Sequence, residues 1–112
     1  MNNELDTFIK SFISHTINFF TNRITGIKIE YMTEEPWWEF AITFRAYDYF
    51  NMRMNYDRGF FGWIVENGKY GYSIPTSITS LNEETIPLFL EEMKQGIELR
   101  IPDEYLKSKG WM

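Results

Sequence analysis

The chain of 112 residues contains no cysteine and a single histidine, and these shortages exclude several kinds of chemistry. Without cysteine the chain has no disulfide bond, no thiolate zinc site and no cysteine nucleophile. Such a composition fits a reducing compartment, and we expect a cytoplasmic location. His15 has no second histidine or cysteine near it in sequence, so we expect a structural or surface residue and not a metal ligand.

Patterns that would indicate an enzyme are also missing. No serine stands in a nucleophile-elbow pattern, and one histidine gives little support for a hydrolase triad. The acidic pairs are adjacent in sequence, and neighbours on a helix point about 100° apart, so they do not form an acid and base pair. No glycine-rich loop opens a helix to hold a phosphate. We therefore expect a protein that has no catalytic activity and binds no metal or cofactor.

Long apolar runs and clustered basic residues are absent too. Segment 1–20 carries Glu4 and Asp6 before its first lysine, and polar residues at positions 10, 11, 14 and 15 interrupt its apolar ones. This pattern is typical of neither a signal peptide nor a transmembrane helix. With a net charge of −5 and its basic residues scattered, the chain repels a phosphate backbone. Its acidity and its order of elements also oppose an RNA-stacking sheet. We expect neither a membrane nor a nucleic-acid partner.

A large apolar fraction is the first positive feature, since 44% of the residues are hydrophobic and 19% are aromatic. A chain of this size and composition buries a core without disulfides or metals. No linker, repeat or low-complexity segment divides the chain, so residues 1–112 are predicted to form a single domain.

The first segment has the periodicity of an amphipathic helix. It predicts a helix over about 3–23 that ends near Asn22 and Gly26, because asparagine and glycine tolerate the left-handed backbone of a helix C-terminus. The residues that form the apolar stripe are Leu5, Phe8, Ile9, Phe12, Ile13, Thr16 and Phe20.

The period then changes to two, which indicates half-buried β-strands. Turns are predicted at Tyr47-Asp48, at Asp57-Arg58-Gly59 and, as a type I′ hairpin, at Asn67-Gly68. A meander of four or five antiparallel strands follows, and the N-terminal helix covers its apolar face. The alternating apolar residues are Ile27, Ile29 and Tyr31, then Phe40, Ile42, Phe44 and Ala46, then Phe50, Met52, Met54 and Tyr56, then Phe61, Trp63 and Val65, and last Tyr70, Tyr72 and Ile74.

The last third of the chain predicts two shorter helices. Residues 86–93 carry a second apolar stripe, and Pro87 fits only a first turn, so this helix begins near Thr85 and stops at Gly96. Pro102 opens a last helical turn. The predicted fold is α+β: an N-terminal helix packed on a four- to five-stranded antiparallel meander, followed by a C-terminal helix and a short terminal helical turn.

The C-terminal third is also acidic. Between residues 81 and 104 lie seven acidic and two basic residues, and seven minus two equals the size of the net charge of −5. A solvated helix face explains such a cluster, and so does a docking surface for a basic partner. The acidic residues are Glu83, Glu84, Glu91, Glu92, Glu98, Asp103 and Glu104.

Aromatic side chains are more numerous than one face of a small sheet can easily hide. Adjacent residues in a regular strand point to opposite faces, so one member each of Trp37-Trp38 and Phe60-Phe61 faces away from the helix. We expect the C-terminal segment to cover this second face. The alternative is an exposed aromatic recognition surface.

The order of the elements is carried by five segments: WWEFAITFRAYDY, YFNMRMNYD, FFGWIVENGKYGYSI, NEETIPLFLEEM and IPDEYLKSKGW. A compact acidic chain built in this order resembles the small immunity proteins of bacterial polymorphic-toxin and contact-dependent growth-inhibition systems. The resemblance covers the whole chain. It implies a cytoplasmic antitoxin that binds one basic toxin domain, often a nuclease, and blocks it without chemistry of its own.

The charge pattern and the resemblance together select candidate contact residues, because acidic groups around an aromatic centre steer and then hold a basic partner. A phage or mobile-element inhibitor of a host defence protein would use the same physics. A small-ligand-binding domain would need an enclosed pocket, and an oligomeric structural domain would need a symmetric contact. We expect a monomer or a small homo-oligomer. The candidates are Glu83, Glu84, Glu91, Glu92, Asp103 and Glu104 for charged contacts, and Trp37, Trp38 and Tyr49 for aromatic ones.

Overall fold

The computed structural model of the protein describes residues 4–67 and 70–112. In this part of the chain a helix precedes a five-stranded antiparallel sheet, and two shorter helices follow it. The predicted α+β fold is therefore confirmed. The elements are α1 (Glu4–Phe20), a 3₁₀ turn (Thr21–Arg23), β1 (Ile24–Thr33), β2 (Glu39–Ala46), β3 (Phe50–Asp57), β4 (Phe60–Asn67), β5 (Tyr70–Ile74), α2 (Ile86–Glu98) and α3 (Asp103–Ser108).

Helix α1 buries the predicted stripe and ends where the backbone turns left-handed. Leu5 and Ile9 are completely buried. Thr21 has a φ of 53°, and that conformation cannot continue a right-handed helix. The predicted stop at Asn22 and Gly26 is wrong, because Asn22 already lies in the 3₁₀ turn and Gly26 lies inside β1. The predicted start at residue 3 lies outside the described residues.

Strand β1 is irregular at two places. Gly26 has a φ of 65° and lies at a register shift between Thr25 and Lys28, where glycine adopts a positive φ without a steric cost. A second shift separates Ile29 from Tyr31, whose partners are adjacent residues of β2. These two side chains therefore lie on opposite faces, and the predicted alternation through Tyr31 is wrong at that point.

The sheet is a meander in which β1 to β5 are neighbours in chain order. One row of paired residues crosses it from Ile42 through Met54 and Trp63 to Ile74. Paired residues share a face, so the alternation in four strands converges on one apolar surface. Its fully or almost fully buried members are Phe40, Ile42, Phe44, Ala46, Met52, Met54, Trp63, Val65 and Ile74.

Two of the three predicted turns have the expected left-handed backbone. Tyr47 and Asp48 have φ values of 57° and 49°, and the N–H of Tyr49 donates to the carbonyl of Ala46 at 2.9 Å. The turn after Asp57 likewise has positive φ at its two central residues. The third predicted turn, Asn67-Gly68, includes Gly68, which lies outside the described residues.

A cluster of three aromatic rings joins the sheet to both long helices. Trp63 stacks on Phe89 of α2, with ring centroids 4.7 Å apart and an interplanar angle of 17°. Phe12 of α1 contacts both, at 6.2 Å and 6.3 Å. All three side chains are almost completely buried. Helices α1 and α2 therefore lie side by side on the same face of the sheet.

Helix α2 begins as predicted but continues beyond its predicted stop. Thr85 is its N-terminal cap and Pro87 lies in its first turn. The predicted stop at Gly96 is wrong, because the helix extends to Glu98. A Cβ on Gly96 would lie 2.6 Å from Cγ2 of Ile74 in β5. This glycine therefore permits close approach of helix and sheet.

The second face of the sheet is not covered by the C-terminal segment, so that prediction is wrong. The apolar stripe of α2 packs on the same face of the sheet that α1 covers. Phe60 is 80% exposed, whereas its neighbour Phe61 contacts Phe89 with ring centroids 5.1 Å apart, as strand alternation requires. The uncovered face is mainly polar and carries Lys28, Thr43, Arg45, Asn51, Arg53, Asn55, Glu66 and Ser73.

Substitution of Gly96→Ala tests the contact between α2 and the sheet. Overpacking costs about 1–3 kcal/mol, which exceeds the roughly 1 kcal/mol that alanine adds to helix propensity. We expect a lower free energy of unfolding in urea. Gln95→Ala, at the adjacent exposed position, is the control. A second substitution, Ile74→Ala, should reduce the loss of stability caused by Gly96→Ala. Unchanged stability in Gly96→Ala would contradict the close approach.

Candidate functional site

Four of the six acidic candidates lie in helices α2 and α3, and Glu83 and Glu84 lie in the turn before α2. The side chain of Asn82 caps the start of this segment, because its Oδ1 accepts from the N–H groups of Glu84 and Thr85 at 2.9 Å and 3.1 Å. Glu84 therefore lies in the turn that precedes the Thr85 cap of α2. Glu91 lies inside α2, and its side chain is exposed.

Two of the six acidic candidates are held by hydrogen bonds within the chain. Glu83 accepts from Ser11 at 2.7 Å and contacts His15 Nε2 at 2.9 Å, both on α1. These hydrogen bonds lower the pKa of Glu83. The lone histidine thus has a structural partner, which links α1 to the turn before α2.

Glu92 has an equivalent role on the other side of α2. It accepts from the hydroxyl of Thr76 at 2.6 Å and from the N–H of Ser77 at 3.0 Å, and also from the Ser77 hydroxyl. Hydrogen bonds from Ser77 and Thr76 lower its pKa. This carboxylate fixes the segment that leads from β5 to α2.

The other four acidic candidates are exposed, and they form no ion pair with any residue in 4–67 or 70–112. Glu91 accepts only from Gln95, at 3.3 Å. The carboxylates of Glu84, Asp103 and Glu104 have no hydrogen-bond partner in the same ranges. Their carboxylates therefore remain available to a partner.

Two leucines lie among these carboxylates and were not selected from the sequence. Leu88 is 57% exposed and Leu99 is 84% exposed. Leu88 lies in the first turn of α2 and Leu99 is its C-terminal cap, so the two leucines lie at opposite ends of this helix. The sequence signal was available, because each leucine interrupts the otherwise polar side of α2. We call Glu84, Leu88, Glu91, Leu99, Asp103 and Glu104 the acidic surface.

Tyr49 lies beside this surface, next to α3. Its ring contacts that of Tyr105, with centroids 4.9 Å apart. The Tyr105 hydroxyl donates to the carbonyl of Tyr47 at 2.9 Å or of Asp48 at 3.0 Å. The turn between β2 and β3 therefore anchors α3, and Tyr49 remains 37% exposed.

Trp37 and Trp38 lie at the other end of the sheet, just before β2. The guanidinium of Arg58 lies over the Trp37 ring at 4.3 Å, and Trp38 contacts Phe8 of α1 at 5.7 Å. Strand β2 separates them from Tyr49 and spans about 25 Å. The three aromatic candidates therefore do not form one centre, and only Tyr49 adjoins the acidic surface.

Tyr47 is buried at the base of this turn. Its hydroxyl donates to Oε2 of Glu98 at 2.5 Å, and its ring contacts Trp111 with centroids 5.3 Å apart. Burial, and then the Glu98 carboxylate, raise the pKa of Tyr47 far above its usual range. The neutral phenol links β2 to the end of α2.

Neither a metal centre nor a membrane-spanning helix is found in the described ranges. No group of three or more histidine or acidic side chains there is placed to hold a metal ion. No helix of that part is long and apolar enough to cross a bilayer. Comparison with known protein families, curated proteins and solved structures finds no match to this chain.

The raised pKa of Tyr47 predicts a loss of stability at high pH. The folded state holds the Tyr47 hydroxyl proton more tightly than the unfolded state does. The protonated hydroxyl therefore makes its full contribution to the free energy of unfolding below about pH 10, the pKa of an unfolded tyrosine. It disappears as the pH rises further. Above that pH we expect the stability of the Tyr47→Phe protein to decrease less steeply with pH than that of the unmodified protein. Circular dichroism and phenolate absorbance measure the two alkaline transitions. Equal alkaline transitions in the two proteins would contradict the buried Tyr47–Glu98 hydrogen bond.

Proposed function

We propose that this protein is a non-catalytic, protein-binding inhibitor, and specifically an immunity protein that neutralises a cognate toxin by direct binding. The partner is a basic domain, for which a nuclease is the best match, and the complex forms in the cytoplasm. The acidic surface carries this proposal. It combines four exposed carboxylates without ion pairs in the described ranges and two exposed leucines.

The carboxylates provide long-range attraction. Uncompensated charges of one sign raise the rate at which an oppositely charged partner arrives, and this effect decreases with salt. A nuclease concentrates lysine and arginine where it holds phosphates. An acidic surface therefore competes with nucleic acid for the same side chains, and it inhibits without chemistry.

The leucines provide the short-range part of the contact. The Leu99 side chain is 84% exposed, so it is hardly buried in the monomer. Most of its apolar surface is available to be buried against a partner. Apolar anchors surrounded by polar groups are the usual arrangement of an interface centre. Leu88 and Leu99 supply two such anchors at opposite ends of α2.

The surface is also held in place before binding. Helix α2 is fixed to the sheet through the Trp63–Phe89 stack. Helix α3 is fixed through buried Leu106 and the Tyr105 hydroxyl. A preorganised surface loses less conformational entropy on association, which favours tight inhibition.

An inhibitor of a host defence protein, encoded by a phage or mobile element, would use the same surface. Gene neighbourhood distinguishes the two, because an immunity gene lies directly downstream of a large toxin gene. The toxin encoded there is the partner for the following measurements.

The double substitution Glu84→Gln/Glu91→Gln tests the charged contacts. We expect an increase in Kd of about tenfold, or about 1.4 kcal/mol, mainly through slower association, together with a weaker salt dependence. Glu83→Gln/Glu92→Gln is the matched control, because it changes the net charge equally at adjacent positions whose carboxylates are bonded internally. Equal loss in both pairs would assign the effect to overall charge and would remove Glu84 and Glu91 from the interface.

Leu99→Ser tests the apolar anchor. Its exposure predicts a stability change within about 0.5 kcal/mol. We expect Kd to rise at least about tenfold through faster dissociation in surface plasmon resonance. Ile17→Ser is the control, because Ile17 is also exposed, at 45%, but lies on α1. A Leu99→Ser protein that binds and inhibits normally would show that this leucine lies outside the contact.

A further inference from the structure

The uncovered sheet face contains a groove of about 550 Å³ that crosses β1 to β4. Thr43 lies in its floor, between Lys28 of β1 and Arg53 of β3 in one row of paired residues. The adjacent row contributes Arg45. Because Thr43 is shorter than its neighbours, the sheet surface is depressed at this point. Gly26 leaves the wall of the groove open, since a Cβ there would meet nothing within 4 Å.

The groove contains more positive than negative charge, against the trend of the whole chain. It is lined by three cations and by two carboxylates, Glu30 and Glu66. Arg53 uses both carboxylates, since it forms an ion pair with Glu30 and lies 3.7 Å from Glu66. These interactions leave the charge of Lys28 without a partner within residues 4–67 and 70–112.

Arg45 adds hydrogen-bond donors beside Lys28. Arg45 donates to Asn51 at 3.2 Å and is 3.7 Å from Asp48, at the edge of the groove. The Thr43 hydroxyl is buried and has no hydrogen-bond partner in the described part of the chain. That oxygen has almost no accessible surface, so a ligand in the groove contacts the side chains around it and not the hydroxyl itself.

We propose that this groove binds a small molecule through an oxyanion, a phosphate or carboxylate group, which accepts from Lys28 and Arg45. The volume lies within the range of small-molecule sites. Glu30 and Glu66 flank the cations and would repel an extended polyanion, so the groove favours a small ligand over nucleic acid. The site lies on the face opposite α2 and α3, so it is independent of the proposed inhibitory contact.

Titration by ¹⁵N NMR tests the proposal, with inorganic phosphate in one arm and succinate in the other. Sodium chloride at equal ionic strength is the reference. We expect saturable shifts at the amides of Lys28, Thr43 and Arg45, and the arm with the tighter binding identifies the kind of oxyanion. Shifts that follow ionic strength alone, or that saturate elsewhere on the surface, would overturn the proposal.

Two variants connect the binding to these side chains. Lys28→Gln should weaken binding at least tenfold, whereas Lys107→Gln, an equal change on α3, should leave it unchanged. Normal binding by Lys28→Gln, or equal weakening by Lys107→Gln, would overturn the proposal.

Discussion

One apolar surface of the sheet must be covered by two helices, and the rest of the structure depends on that constraint. The contact of Trp63 with Phe12 and Phe89 shows how it is met, because a single indole ring receives a side chain from each helix. Both helices lie on the same face for this reason. The opposite face of the sheet remains open.

The same constraint orients the surfaces that we consider functional. Since Phe89 and Met93 point toward the sheet, the other side of α2 points to solvent, and Leu88 and Glu91 lie there. The open sheet face collects cations from separate strands. The protein therefore presents an acidic helical surface and a cationic groove on opposite sides of one core.

Most of the fold could be predicted from local sequence pattern, because residues of one strand or one helix turn share a face by geometry alone. The ends of elements were less predictable. Gly26 and Gly96 both suggest helix ends in sequence, yet one forms a strand irregularity and the other permits contact with Ile74. In each case a neighbour distant in sequence determines the role of the glycine.

The sequence by itself determined the α+β class, the apolar faces and the acidity of the C-terminal third, because these depend on composition and on periodicity along the chain. Tertiary structure alone decided which carboxylates are available. Glu83 and Glu84 are neighbours, but Ser11, 72 residues from Glu83, binds only the first. Likewise Lys28, Thr43 and Arg53 come together only through strand register. Contacts between distant residues are not encoded in any local pattern, so a single sequence does not reveal them.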